Sequence, residues 1–192
     1  MNDTISLVAN FVYFTLALGW AAWMYPFLFR APHGQKRQSV TAKRPTLIGL
    51  LLESFAIFLA FVFHLPLGTL PDWPRLAAAA ILMPPSIALA WSAVSHLGKQ
   101  FRVTAGLYSD HELVQSGAYA VIRHPIYGTL FGMMIASMLA VTRVEWMAPL
   151  VAMFIVGTEI RVRTEDGLLE SRFGEDFRRY RQRVRAYIPF VR

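Results

Sequence analysis

The sequence predicts an all-α, polytopic integral membrane protein of about five transmembrane helices, the fourth and fifth forming a helical hairpin ahead of a cytoplasmic helical tail. Three observations carry this. The 192 residues are 55% hydrophobic and only 16% charged, with a mean hydropathy of +0.41. Soluble domains carry roughly a quarter charged residues, so burial in a bilayer explains the shortage better than an oversized core. Long apolar segments recur along the chain, and its basic residues gather on the links of one side.

The segments are 5–28, 46–66, 76–97, 126–142 and 146–160. A helix crossing a hydrocarbon core of about 30 Å needs roughly 20 residues. The first three meet that length. The last two are shorter, and the link Arg143-Val144-Glu145 makes them a hairpin whose second helix continues past Ile160 into the cytoplasm. Pro84-Pro85 is expected to kink the third helix, which neighbouring helices can tolerate.

Charge orients the chain. Arg30, Lys36, Arg37, Lys43 and Arg44 follow the first segment, and Lys99, Arg102 and Arg123 follow the third. Nine arginines lie from Arg161 onward, and only Arg75 and Arg143 fall on the opposite side. The positive-inside rule makes the basic face cytoplasmic and the N-terminus external, as in a bacterial inner membrane. Met1-Asn2-Asp3-Thr4 has no basic residue and the first segment is too long for the apolar core of a signal peptide, so no signal peptide is expected.

The net charge of +7 and isoelectric point near 10.1 do not indicate nucleic acid, because the charge is spread over membrane-flanking positions without a recognition motif. Anionic lipid headgroups are the expected partner. With no cysteine there is no disulfide framework, thiolate nucleophile or zinc–thiolate centre. No metal site is expected.

Polar residues collect at membrane boundaries in the second half. Pro125 suits the first position of a helix, where a missing N–H costs nothing. Free N–H groups, the positive end of the helix dipole, Arg123 and His124 then converge as an anion site. An interfacial anchor with a proline start is an equally open reading. Arg161 and Glu165 are four apart and share a helix face. They are either a solvated pair worth a few tenths of a kcal/mol or part of a site that the hairpin brings near the Arg123–Tyr127 turn. Glu53, about two turns inside the second helix, reads as a neutral carboxyl bonded to a neighbouring helix in preference to a functional acid. His64 reads as interfacial. Met133, Met134, Met138 and the first helix's aromatic residues read as core or lipid-facing.

The span from His96 to Pro189 resembles the C-terminal half of the isoprenylcysteine carboxyl methyltransferase family, itself related to membrane phospholipid methyltransferases. His111-Glu112-Leu113-Val114, Gly117, Tyr119 and Arg123-His124-Pro125-Ile126-Tyr127 match its first block. Glu165, Leu169, Phe173-Gly174, Tyr180, Val184 and Pro189 match its second. The resemblance implies S-adenosylmethionine as cofactor, held by His111, Glu112, Leu113, Val114, Tyr119, Arg123, His124, Pro125, Ile126, Tyr127 and Glu165. It implies that Arg161 contacts the substrate carboxylate, so Arg161 and Glu165 are the expected catalytic pair. Asp166 stands where the family often has a second glutamate, and Phe177 replaces a common tyrosine. On this reading 1–192 is one membrane domain, with three helices in 1–97 and the cofactor-binding half in 98–192.

No strand followed by a glycine-rich turn is present, which argues against a soluble Rossmann-type methyltransferase. Methyl transfer from a sulfonium to a carboxylate needs in-line approach and no general base. The expected acceptor is lipophilic or prenylated: a prenylcysteine-like carboxylate, a lipidic phenol or a phospholipid amine. An NADPH-dependent membrane reductase and a non-enzymatic scaffold with a lipid-binding tail are the competing classes. The sequence leaves the oligomeric state open.

Overall fold

The computed structural model describes residues 2–30, 39–41, 43–102, 105–108 and 110–187. Lys36, Arg37, Pro189 and Arg192, used above for charge and resemblance, lie outside them. Among the described residues six α-helices follow one another: α1 (Asn2–Phe29), α2 (Lys43–Val62), α3 (Trp73–Leu97), α4 (Pro125–Val141), α5 (Val144–Phe173) and α6 (Glu175–Arg183). Two short strands, β1 (Ser39–Thr41) and β2 (Gly106–Tyr108), pair antiparallel with Val40 opposite Leu107. This ribbon ties the α1–α2 link to the segment after α3. Three residues per strand give too little alternation to be read from sequence.

By length and composition, Ile5–Phe29, Arg44–Val62 and Trp73–Gln100 can cross a membrane, and Pro125–Val141 is a shorter apolar helix. α5 has 30 residues but carries Glu145, Glu159 and Arg161, so it is not uniformly apolar. Phe11, Phe14, Leu18, Leu51, Phe55 and Phe58 are exposed on the outer faces of α1 and α2, a surface suited to lipid rather than water. The protein is an integral membrane protein. α2 ends at Val62, four residues before the expected Pro66, and His64 there pairs backbone-to-backbone with Thr142 at the end of α4. Pro84 and Pro85 both lie inside α3, which runs unbroken through them.

α4 and α5 are joined by two residues, yet each packs chiefly elsewhere: α4 along α3, and α5 along α2. The methionines read as core or lipid-facing are core. Met133 packs where α1, α3 and α4 meet, while Met134 and Met138 pack with Phe154 between α2, α4 and α5. Arg75 caps the far end of α4 by donating to the carbonyls of Met138 (3.0 Å) and Thr142 (2.5 Å).

The α2–α5 contact is unusually close. A β-carbon added at Gly49 would lie 2.6 Å from the Gly157 carbonyl oxygen, and one at Gly157 would lie 2.7 Å from that of Gly49. Small residues at a helix crossing let two backbones meet in lipid. At the other end of α5, Gly174 adopts φ +52°, breaking the helix and turning the chain into α6. α6 is amphipathic and buries Phe177 and Tyr180.

Gly157→Val should therefore lower stability by about 1–3 kcal/mol, the usual cost of overpacking. Gly167→Ala, on the same helix with open space around its β-carbon, should raise it by roughly 0.5–1 kcal/mol. Thermal melts in detergent decide; equal melting temperatures would refute the crossing.

Candidate active site

The twelve residues singled out from sequence border one cavity of about 490 Å³. His111, Glu112, Leu113 and Val114 lie on the extended segment after β2, and Tyr119 lies on a single 3₁₀ turn (Gly117–Ala120). Arg123 and His124 precede α4, whose first turn contains Pro125, Ile126 and Tyr127. As expected, α4 begins at Pro125. Arg161 and Glu165 face the cavity from α5, one turn apart.

The approach to α4 is held by the chain's tail. The backbone N–H groups of Arg123 and His124 donate to the carbonyls of Arg185 (2.7 Å) and Ala186 (2.8 Å). The Tyr180 hydroxyl donates to the Tyr119 carbonyl at 2.6 Å. Phe177 is fully buried with Tyr180 beside Leu113, Leu169 and Phe173.

The anion site expected at the start of α4 already holds anions from the chain itself. Arg123 donates to Asp166 Oδ2 at 3.0 Å and to the Val184 carbonyl at 2.5 Å. His124 Nε2 lies 2.8 Å from Asp166 Oδ1, and its Nδ1 lies 3.4 Å from Glu165 Oε2. Burial alone would push the His124 pKa down, but the two carboxylates outweigh it and raise it from 6.5 to about 9. Burial likewise opposes ionisation of Asp166, and the hydrogen bonds and charges of His124 and Arg123 override it, holding the carboxyl below its usual range. Glu165 also accepts the Tyr127 hydroxyl.

Arg161 and Glu165 are not a solvated pair. Arg161 is only 7% exposed, and its Nη1 donates to Glu53 Oε2 at 2.6 Å. Its guanidinium lies 4.6 Å from the centre of the Tyr127 ring. Glu53 takes a second hydrogen bond from Thr158 Oγ1 at 2.8 Å. The expectation that Glu53 bonds to a neighbouring helix holds: its partners are the Arg161 guanidinium and the Thr158 hydroxyl of α5. Glu53 also borders the cavity. A lone acid in an apolar helix was the available signal; its partner lies 108 residues away. Asp166 was read only as a departure from the family, although it anchors both Arg123 and His124.

Arg123 and His124 thus pair with Asp166, and Arg161 pairs with Glu53, while Arg102 and Glu112 also border the cavity. Much of the remaining lining is apolar, including Trp20, Trp23, Met24, Phe27, Ile57 and Phe101. Ligand cavities commonly measure about 300–1,000 Å³ and combine an apolar body with a few fixed polar groups. The residues present suit S-adenosylmethionine: Glu165 can accept from an ammonium or ribose hydroxyl, and the Tyr119 and Tyr127 rings offer faces to a base or a sulfonium.

Residues 79–171 match the model of the isoprenylcysteine carboxyl methyltransferase (ICMT) family. A search of curated proteins finds no match. The match covers just under half of the chain and supports S-adenosylmethionine-dependent methyltransferase activity resembling that of the family. The matched span runs from within the second turn of α3 through nearly all of α5 and so covers the turn into α4, Arg161 and Glu165.

A histidine with a raised pKa binds its proton more tightly when folded than when unfolded. Its contribution is complete below about pH 6.5 and is lost as pH rises through about 9. The wild-type melting temperature should therefore decline across that window. Asp166→Asn should lower stability at neutral pH and flatten the decline; parallel curves for the two proteins would exclude the Asp166–His124 link.

Proposed function

We propose that this protein methylates a carboxylate of a lipophilic, prenylcysteine-like acceptor at the cytoplasmic membrane face. The observation that carries the reading is Arg161: a buried guanidinium facing a cavity whose lining combines charged and apolar side chains. A guanidinium matches a carboxylate with two parallel hydrogen bonds, and the apolar lining suits the acceptor's hydrocarbon.

S-adenosylmethionine supplies the electrophilic methyl group. His111–Val114, Tyr119, Arg123–Tyr127 and Glu165 hold it, and Arg161 orients the acceptor oxygen for in-line approach. No side chain need remove a proton, because a carboxylate is already a nucleophile. Positioning provides much of the rate. Charge adds to it: a cationic donor and an anionic acceptor cancel as they react, which a dry site favours. The ammonium of a phospholipid amine would first have to lose a proton, which a carboxylate need not, and this ranks it below a carboxylate.

Five membrane spans are part of the proposal, α4 and the apolar part of α5 completing the three longer helices. α1–α3 close the acceptor end, and the second half binds the cofactor. The basic asymmetry supports an external N-terminus and a cytoplasmic C-terminus, with basic side chains at the inner headgroups.

Titration in detergent should show binding of S-adenosylhomocysteine and not of NADPH. His124→Ala should weaken that binding by about 1.5–3 kcal/mol, the scale of a hydrogen bond to a charged group. Arg161→Ala should keep it and abolish methyl transfer to N-acetyl-S-farnesylcysteine, with only partial recovery in Arg161→Lys. Transfer that survives Arg161→Ala would rule out its role. For orientation, a C-terminal reporter should work in its cytoplasmic form and stay silent in its periplasmic form; the reverse pattern would overturn the topology.

A further inference from the structure

Glu53 belongs to α2, outside the residues that match the family. It is 1% exposed, yet it borders the same cavity as Arg161. Both of its oxygens are engaged on α5, by Thr158 at 2.8 Å and by Arg161 at 2.6 Å. The Gly49–Gly157 contact brings the helices close enough for this, since a β-carbon at Gly157 would come within 3.1 Å of Glu53 Cγ. The arginine assigned to the acceptor is thus already paired with a carboxylate of the chain.

An unpaired guanidinium buried at membrane depth carries a large desolvation cost. A cation kept there for an incoming anion therefore needs an anion of its own while the site is empty. We propose that Glu53 is that stand-in: it occupies Arg161 in the empty site, and a lipophilic carboxylate binds by displacing it. The inference rests on the reading of Arg161 as the acceptor's partner and adds a positioning residue from the N-terminal half. It also implies a route for product release. An acceptor oxygen lone pair forms the O–CH₃ bond while the S–CH₃ bond breaks, its electrons passing to sulfur. The ester and thioether that result are both neutral. The ester has no charge with which to hold Arg161, and Glu53 takes the cation back.

The test is chemical rescue followed by thermal melting in detergent. Glu53→Gln should melt below wild type, because Arg161 loses its anion. Octanoate should raise the melting temperature of Glu53→Gln more than that of wild type, whereas octanol should not distinguish them. In Glu53→Gln/Arg161→Gln, which removes both charges, the octanoate effect should vanish. In turnover, Glu53→Gln should lower the KM for N-acetyl-S-farnesylcysteine by about fivefold or more, together with kcat, since a competing anion is gone and the acceptor is held harder. Its affinity for S-adenosylhomocysteine should stay within about twofold. If Glu53→Gln does not fold, Glu53→Asp, which keeps the charge one methylene further back, should show the same order of effects at smaller size. Equal octanoate shifts in wild type and variant, or a raised KM, would overturn the proposal. The octanoate comparison does not depend on turnover. If wild type fails to bind S-adenosylhomocysteine, the methyltransferase reading falls while the melts still decide the role of Glu53.

Discussion

The ion pair between Glu53 and Arg161 is the constraint on which the rest of the site depends. It joins α2 to α5 across the cavity wall at 2.6 Å, with Thr158 satisfying the second carboxylate oxygen. Such a pair is weak evidence of stability, since dehydrating two charges offsets much of their attraction. Losing one partner is costly in a way that losing both is not. Gly49 and Gly157 are therefore tied to the chemistry as well as to packing: without their contact, the helices would separate and the pair would lengthen.

A second polar unit lies beside the first. Asp166 bonds Arg123 and His124 at once, and Glu165 completes the set through His124 and Tyr127. The tail reinforces it through the carbonyls of Val184, Arg185 and Ala186. The two units meet at Tyr127, whose ring lies against Arg161 and whose hydroxyl donates to Glu165. A ligand spanning them would meet a cavity wall built from α2, α4, α5 and the tail together. That construction explains why residues far apart in the chain, from Glu53 to Tyr180, border one space.

Electrostatics and shape agree on the kind of reaction. Arg123 and His124 pair with Asp166 and Arg161 pairs with Glu53, so carboxylates of the chain answer these three cations. A cationic methyl donor and an anionic acceptor would bring balancing charges to such a site. The apolar lining includes two tryptophans of α1 whose indole N–H groups are satisfied by Ser137 and Thr129 of α4, which leaves their rings to a hydrocarbon chain.

Much of this was legible in the sequence. Apolar segment length gave the helices to within a few residues, because bilayer thickness imposes a length that local composition must meet. Pro125 marked the start of α4 because proline fits a first helical turn. The twelve residues that the block from His111 to Tyr127, with Arg161 and Glu165, singled out all border the cavity, although Glu53 and the aromatic lining of α1 were not among them. The tertiary structure decided the partners. Arg161 and Glu165 share a face and so invited each other, yet Arg161 turned to Glu53 and Glu165 to His124 and Tyr127. Asp166 looked like a departure and is the shared anchor of Arg123 and His124. A three-residue ribbon and an α5 that packs on α2 rather than on its sequence neighbour were equally out of reach. Spacing along a helix fixes which way a side chain points; only the packing of helices far apart in the chain decides what it meets.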